Sequence, residues 1–98
     1  MNKYRLSAQE IRQIHSCIQR LDGNAKVFLY GSRLDTNTKG GDLDLLVISE
    51  TLTFTDKLDI LSELKEKLGD QKIDLSILSR IEYDNSKFFQ SINKVQIP

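Results

Sequence analysis

Apolar residues recur at helical spacing early in the chain. Ile11, Ile14, Ile18 and Leu21 fall three and four apart, which places them on one face of an α-helix. Ser7-Ala8-Gln9-Glu10 ahead of them has the form of a capping box, in which Ser7 and Glu10 each satisfy a backbone N–H. Leu6 and Ile11 stand where a hydrophobic staple forms, and Gly23 suits the C-terminal cap. The period then changes. Lys26-Val27-Phe28-Leu29-Tyr30 is a short apolar run stopped by Gly31, the form of a buried strand. From Gly31 to Gly41 the chain is polar and aperiodic. Leu43 to Ile48 is apolar at nearly every position, as in a sheet covered on both faces. Thr55 to Leu68 predicts a second amphipathic helix, with Leu58, Leu61, Leu64 and Leu68 as its stripe and Gly69 as its stop. Lys72 to Leu78 predicts a third strand. Ile81 to Lys94 is weakly helical, anchored by Phe88, Phe89 and Ile92. The order helix, strand, loop, strand, helix, strand, helix implies a small α/β sheet with helices packed against it, and leaves the strand directions open.

Composition narrows the class. A chain of 98 residues has room for one domain, taken as 1–98. Fourteen Lys+Arg balance fourteen Asp+Glu, and a net charge of zero argues against nonspecific binding to nucleic-acid backbones. At 39% hydrophobic residues a small core is feasible, and the mixed charges and periodic apolar blocks argue against disorder. One cysteine, Cys17, excludes an internal disulfide and fits a reducing compartment, which points to the cytoplasm. The N-terminus carries no apolar signal region, and no stretch approaches the ~18 apolar residues of a membrane span.

The candidate chemistry is acidic. Aspartate is depleted in strands, and a buried carboxylate is costly unless paired or bound to metal. Yet Asp42 and Asp44 open the second strand and Asp74 lies inside the third. Residues two apart on a strand point the same way, so Asp42 and Asp44 converge on one face, and Asp74 joins them if the strands are neighbours. Three carboxylates suit a hard divalent cation, Mg²⁺ above all, and two such ions can bind the attacking and leaving oxygens of a phosphoryl or nucleotidyl transfer. A bare Asp-x-Asp is more often a capped turn and a solvent-facing side chain. A third Asp on a separate apolar strand leaves the two readings evenly matched. Gly31-Ser32-Arg33 after a buried strand shifts the balance: free backbone N–H groups and a hydroxyl can hold a phosphate, and Arg33 can add a charge-assisted contact.

Apolar strand, Gly-Ser, a spacer, then Asp-apolar-Asp stands here as FLYGSRLDTNTKGGDLDLLV, followed by KIDLSIL. This resembles the DNA polymerase beta-like nucleotidyltransferase superfamily, and within it the minimal nucleotidyltransferase group, over about residues 10 to 80. The resemblance implies a small mixed β-sheet flanked by helices, like a polymerase palm. It implies that Asp42 and Asp44 ligate two Mg²⁺ ions, that Asp74 ligates the catalytic ion and helps deprotonate the acceptor, and that Gly31 and Ser32, assisted by Arg33, hold the β- and γ-phosphates of ATP. It further implies an antitoxin partnered with a HEPN-type toxin, to which AMP is transferred on a tyrosine. A non-catalytic nucleotide-binding module that masks its partner is the alternative, and small-molecule nucleotidyl transfer is third. The last needs a substrate-binding domain beyond Pro98. Small size and zero charge favour a protein acceptor, and a homo-oligomer stays open.

Other motifs fit worse. Asp35 to Gly40 imitates an EF-hand start, but Lys39 occupies a ligand position and Leu46 stands where the bidentate Glu belongs. Thr38-Lys39-Gly40-Gly41 reverses the order of a P-loop. His15 reads as an exposed or helix-packed histidine, Cys17 as a small core residue, Tyr4 and Tyr83 as surface residues, and Tyr30 as a packing residue before a site residue. Phe88, Phe89 and Ile92 read equally as core or as a patch covered by a partner.

Overall fold

The computed structural model describes residues 6–34, 42–69 and 71–98, with only the backbone of Ser32 and Arg33. Tyr4, the EF-hand-like stretch 35–40 and the reversed P-loop stretch 38–41 lie outside the described residues.

The first helix, α1, spans Ala8–Gln19 and starts where its capping box requires: the Ser7 hydroxyl accepts from the Glu10 N–H at 3.0 Å, and Glu10 Oε1 accepts from the Ser7 N–H at 2.9 Å. Leu6 is buried and Ile11 packs against the same core, as the staple predicts. The helix ends sooner than expected. Arg20, not Gly23, is its C-cap, because the Ile18 carbonyl takes the N–H groups of both Leu21 and Asp22 and tightens the turn. Leu21 therefore falls off the buried stripe and is 41% exposed.

Strand β1 (Lys26–Tyr30) leads into a 3₁₀ turn at Gly31–Leu34, and β2 spans Leu43–Ile48. Helix α2 (Phe54–Leu68) is capped by a second box, Thr53 with Asp56, and closes at Gly69. Its stripe differs from the expected one. Ile60 and Leu64 are fully buried, Leu61 and Leu68 flank them, and Leu58 is 50% exposed. At about 100° per residue, Leu58 lies a third of a turn or more from both Ile60 and Leu64, roughly 160° and 120° away. Strand β3 (Ile73–Leu78) follows.

The last third departs most from expectation. The single weak helix over 81–94 is two five-residue helices, α3 (Arg80–Asp84) and α4 (Lys87–Ser91), followed by a strand, β4 (Lys94–Ile97). Ser86 causes the break: its hydroxyl caps α4 by accepting from the Phe89 N–H at 3.1 Å. Only Val95 and Ile97 alternate in β4, too short a pattern to read as a strand, yet Ile97 is 3% exposed and belongs to the core.

The four strands form one sheet in the order β3-β2-β1-β4. The pairs β1/β2 and β1/β4 are antiparallel; β2/β3 is parallel, with α2 as the crossover. This is the mixed sheet flanked by helices that the sequence implies. One face carries Val27, Leu29, Leu43, Leu45, Val47 and Leu75, packed against Ile14, Ile18, Ile60 and Leu64 from the two long helices. Alternation sends Phe28, Tyr30, Asp44, Leu46, Asp74 and Ser76 to the other face. Leu46 is fully buried there, and Phe88 and Phe89 of α4 meet Tyr30 on that side. Among the described residues no helix is long and apolar enough to cross a membrane.

Candidate active site

Strand pairing decides which aspartates meet. Asp44 on β2 pairs in register with Asp74 on β3, and on its other side with Tyr30 on β1, which in turn pairs with Lys94 on β4. One row across the sheet thus reads Asp74, Asp44, Tyr30, Lys94, all on the face opposite the long helices. The parallel pairing that the sequence left open is what aligns the two carboxylates.

Gly31 completes the arrangement around Asp44. The chain leaves β1 at φ +80°, a conformation that favours glycine. A Cβ built on Gly31 would stand 3.1 Å from Asp44 Cγ and closer still to Oδ2. The missing side chain is the space the Asp44 carboxylate occupies. Burial raises the pKa of Asp44 above its ordinary 3.8, and the charges of Asp74 and then Asp42 push the same way, with Lys72 opposing. A carboxylate that is half-buried among like charges favours a cation or a proton beside it. Burial likewise raises the Tyr30 phenol, an effect Ser76 opposes and Asp44 and Asp74 reinforce, so the ring stays neutral at physiological pH.

Asp42 stands apart from the pair. It precedes β2, is about half exposed, and its Oδ2 lies 3.7 Å from Lys72 Nζ. Among the described residues no group of three or more His, Cys, Asp or Glu side chains is arranged to hold a metal ion. The structure therefore brings Asp44 and Asp74 together and leaves Asp42 turned toward Lys72. Gly31, Ser32 and Arg33 form the start of the 3₁₀ turn; the side chains of Ser32 and Arg33 lie outside the described residues. The donor set fits a hard cation in kind, being carboxylate oxygen throughout, and Gly31 keeps the approach to Asp44 open.

Beside this row lies an open groove of ≈ 830 Å³, lined by Tyr30, Gly31 and Leu34 on one side and by Phe88, Ser91, Ile92 and Asn93 on the other. Sequence reasoning misses it, because the pairing of β4 with β1 is what returns residues 88–93 to Gly31. Tyr30 both packs and lines: its ring meets Phe89 edge-on at 5.6 Å and Phe88 at 6.5 Å. Phe89 and Ile92 are half-buried, and Phe88 is 59% exposed.

Cys17 is a core residue. Burial, helped by Glu63, pushes its thiol up to about 11, and Sγ lies 4.0 Å from the Ile60 carbonyl oxygen. His15 is half-buried on α1. At the opposite end of the sheet lies a smaller cavity of ≈ 260 Å³, where the Ser49 hydroxyl donates to Asp22 Oδ2 and the Glu50 carboxylate accepts from the Arg80 N–H at 2.7 Å.

The model of the family described as nucleotidyltransferase domain matches residues 11–96. A crystal structure of a protein taken to be a nucleotidyltransferase shares the fold, with a TM-score of 0.67 at 23% sequence identity, over 93% of this chain and 100% of that one. Among curated proteins none matches the chain.

Proposed function

The chain belongs to the nucleotidyltransferase domain family, and from that premise we propose that it moves AMP from ATP to a hydroxyl of a partner protein. The acceptor in this reading is a tyrosine of a HEPN-type toxin, which makes the chain an antitoxin. The observation that carries the reading is the Asp44 carboxylate, set in register with Asp74 and fitted into the space that Gly31 leaves.

Asp44 and Asp74 would hold Mg²⁺, and Asp42 joins them by rotating away from Lys72. Bound there, the metal supplies charge neutralisation for the α-phosphate and the leaving pyrophosphate. Gly31 and Ser32 hold the β- and γ-phosphates, with Arg33 assisting, as the family resemblance implies. Asp74, on the far side of Asp44 from Gly31, takes the proton of the acceptor hydroxyl. The acceptor oxygen bonds to the α-phosphorus, the α–β anhydride bond breaks in line, and pyrophosphate leaves on the Gly31 side. Positioning and electrostatics supply most of the rate, because no covalent intermediate is required.

The test is incubation of the chain with Mg-ATP and the protein encoded beside it, followed by the intact mass of that protein. One AMP adduct on a tyrosine is expected with the natural chain, and none with Asp44→Asn, which keeps the fold. A stable complex without any adduct supports instead a module that masks its partner. That second reading has one observation in its favour, the pairing of Asp42 with Lys72 rather than with the other two carboxylates.

A further inference from the structure

The groove beside Gly31 has a chemistry of its own. Its floor and near wall are Tyr30 and Gly31, the residues that flank the Asp44 carboxylate, so it is continuous with the phosphate end of the proposed site. Its far wall presents Phe88, a large aromatic that is 59% exposed although Phe89 meets it edge-on at 4.9 Å and Tyr30 at 6.5 Å. An aromatic ring held in place by two others and still open to solvent is a stacking platform. At the rim, Asn93 is exposed, and its carboxamide makes no hydrogen bond to any of the described residues. It offers both a donor and an acceptor to a planar polar edge. The Ser91 hydroxyl is not free in this way, since it donates to the Phe88 carbonyl at 2.9 Å.

We propose that this groove seats the base of the donor nucleotide, stacked on Phe88 with its hydrogen-bonding edge toward Asn93. The inference rests on the nucleotidyl-transfer reading above and adds to it the residues that select the nucleotide. The sheet order favours the donor over the acceptor as occupant. Asp74, the proton acceptor of that reading, lies on the β3 side of Asp44, whereas the groove opens on the β1 and β4 side. A volume of ≈ 830 Å³ falls within the ~300–1,000 Å³ of ordinary small-molecule sites, enough for a base and ribose. The aliphatic walls from Leu34 and Ile92 suit a base better than they suit phosphate.

Calorimetric titration of the full chain with Mg-ATP and, separately, with Mg-tripolyphosphate tests this. Phe88→Ala should weaken ATP about tenfold, within the range for one base on one aromatic, and leave tripolyphosphate unchanged. Phe88→Leu keeps the apolar volume but not the ring, should lose ATP affinity likewise, and guards against a folding defect in the smaller variant. Asn93→Asp, which leaves only an acceptor at the rim, should change the ratio of ATP to GTP affinity. Equal loss of ATP and tripolyphosphate in both Phe88 variants, or no loss of either, overturns the groove while leaving nucleotide binding intact. ATP affinity that survives Phe88→Leu while transfer to N-acetyltyrosinamide slows would assign the groove to the acceptor, and also overturns it. Failure of the natural chain to bind either ligand sinks the donor reading itself.

Discussion

Gly31 and Asp44 are matched to each other, and the match has two parts that mutation can separate. Gly31→Ala forces an L side chain into the left-handed region, at a cost of about 1–2 kcal/mol, and drives its Cβ into the Asp44 carboxylate. Asp44→Ala removes the second part and not the first. In urea unfolding, Gly31→Ala is expected to destabilise by about 2 kcal/mol or more alone, and by about 1 kcal/mol less in the Asp44→Ala background. Purely additive effects would mean that the two residues do not compete for one space. Cys17 supplies a contrast at the same scale. A thiol pushed up to about 11 and 1% exposed is unreactive in the folded chain. Aromatic disulfide reagents should label it only at the rate of unfolding, so fast labelling under native conditions would contradict its place in the core.

The elements show where sequence pattern carries information and where it stops. The capping box of Ser7 with Glu10 starts α1 where the pattern puts it, because a cap is a local matter of four residues; Thr53 with Asp56 and Ser79 with Glu82 cap α2 and α3 in the same way, though the pattern drew attention to neither. The aspartates on β2 and β3 were legible as strand residues with one facing side, since alternation is also local. That β2 and β3 lie side by side and parallel was not, because pairing is set by the crossover helix and the whole core. The same holds for β4: Lys94–Ile97 has too few alternating residues to announce itself, and its strand identity comes from pairing with β1. The groove wall at 88–93 depends on that pairing and was illegible for that reason. Ile97→Ala should therefore cost about 2–4 kcal/mol in urea unfolding, as for a buried core residue and not for a chain terminus. Between the two long helices, Arg20 and Lys67 hold the Glu63 carboxyl down to about 2, with the Arg20 hydrogen bond the larger cause. Because the folded pKa is below the unfolded one, this contribution is present above about 4.5 and is lost as pH falls toward about 2. Arg20 is 58% exposed, so the contribution at neutral pH is small. Glu63→Gln should flatten the acid limb of the stability profile and barely move the neutral value.

At the scale of the whole molecule, zero net charge conceals an uneven distribution. Asp42, Asp44 and Asp74 all stand at one end of the sheet, and among the described residues the counter-charge near the first two is Lys72. The fold thus carries a repulsion that its overall balance does not relieve, and a cation bound at that end relieves it directly. Binding that is confined to the folded state raises stability by mass action, by about 2.7 kcal/mol when the ligand is at a hundred times its Kd. For a chain of this size each kcal/mol moves the midpoint by roughly 4–8 °C. Saturating Mg²⁺ should therefore raise Tm by roughly 10 °C or more, EDTA should reverse the rise, and KCl at matched ionic strength should give little of it, since screening acts on all charges and does not single out one end. In Asp44→Asn and Asp74→Asn the Mg²⁺-dependent rise should shrink to what KCl gives. The metal-free Asp44→Asn protein should also unfold at a higher temperature than the natural chain without metal, because it no longer buries a charge beside two others. A Mg²⁺ response that survives both substitutions would place the ion elsewhere and detach the carboxylate row from the chemistry proposed for it.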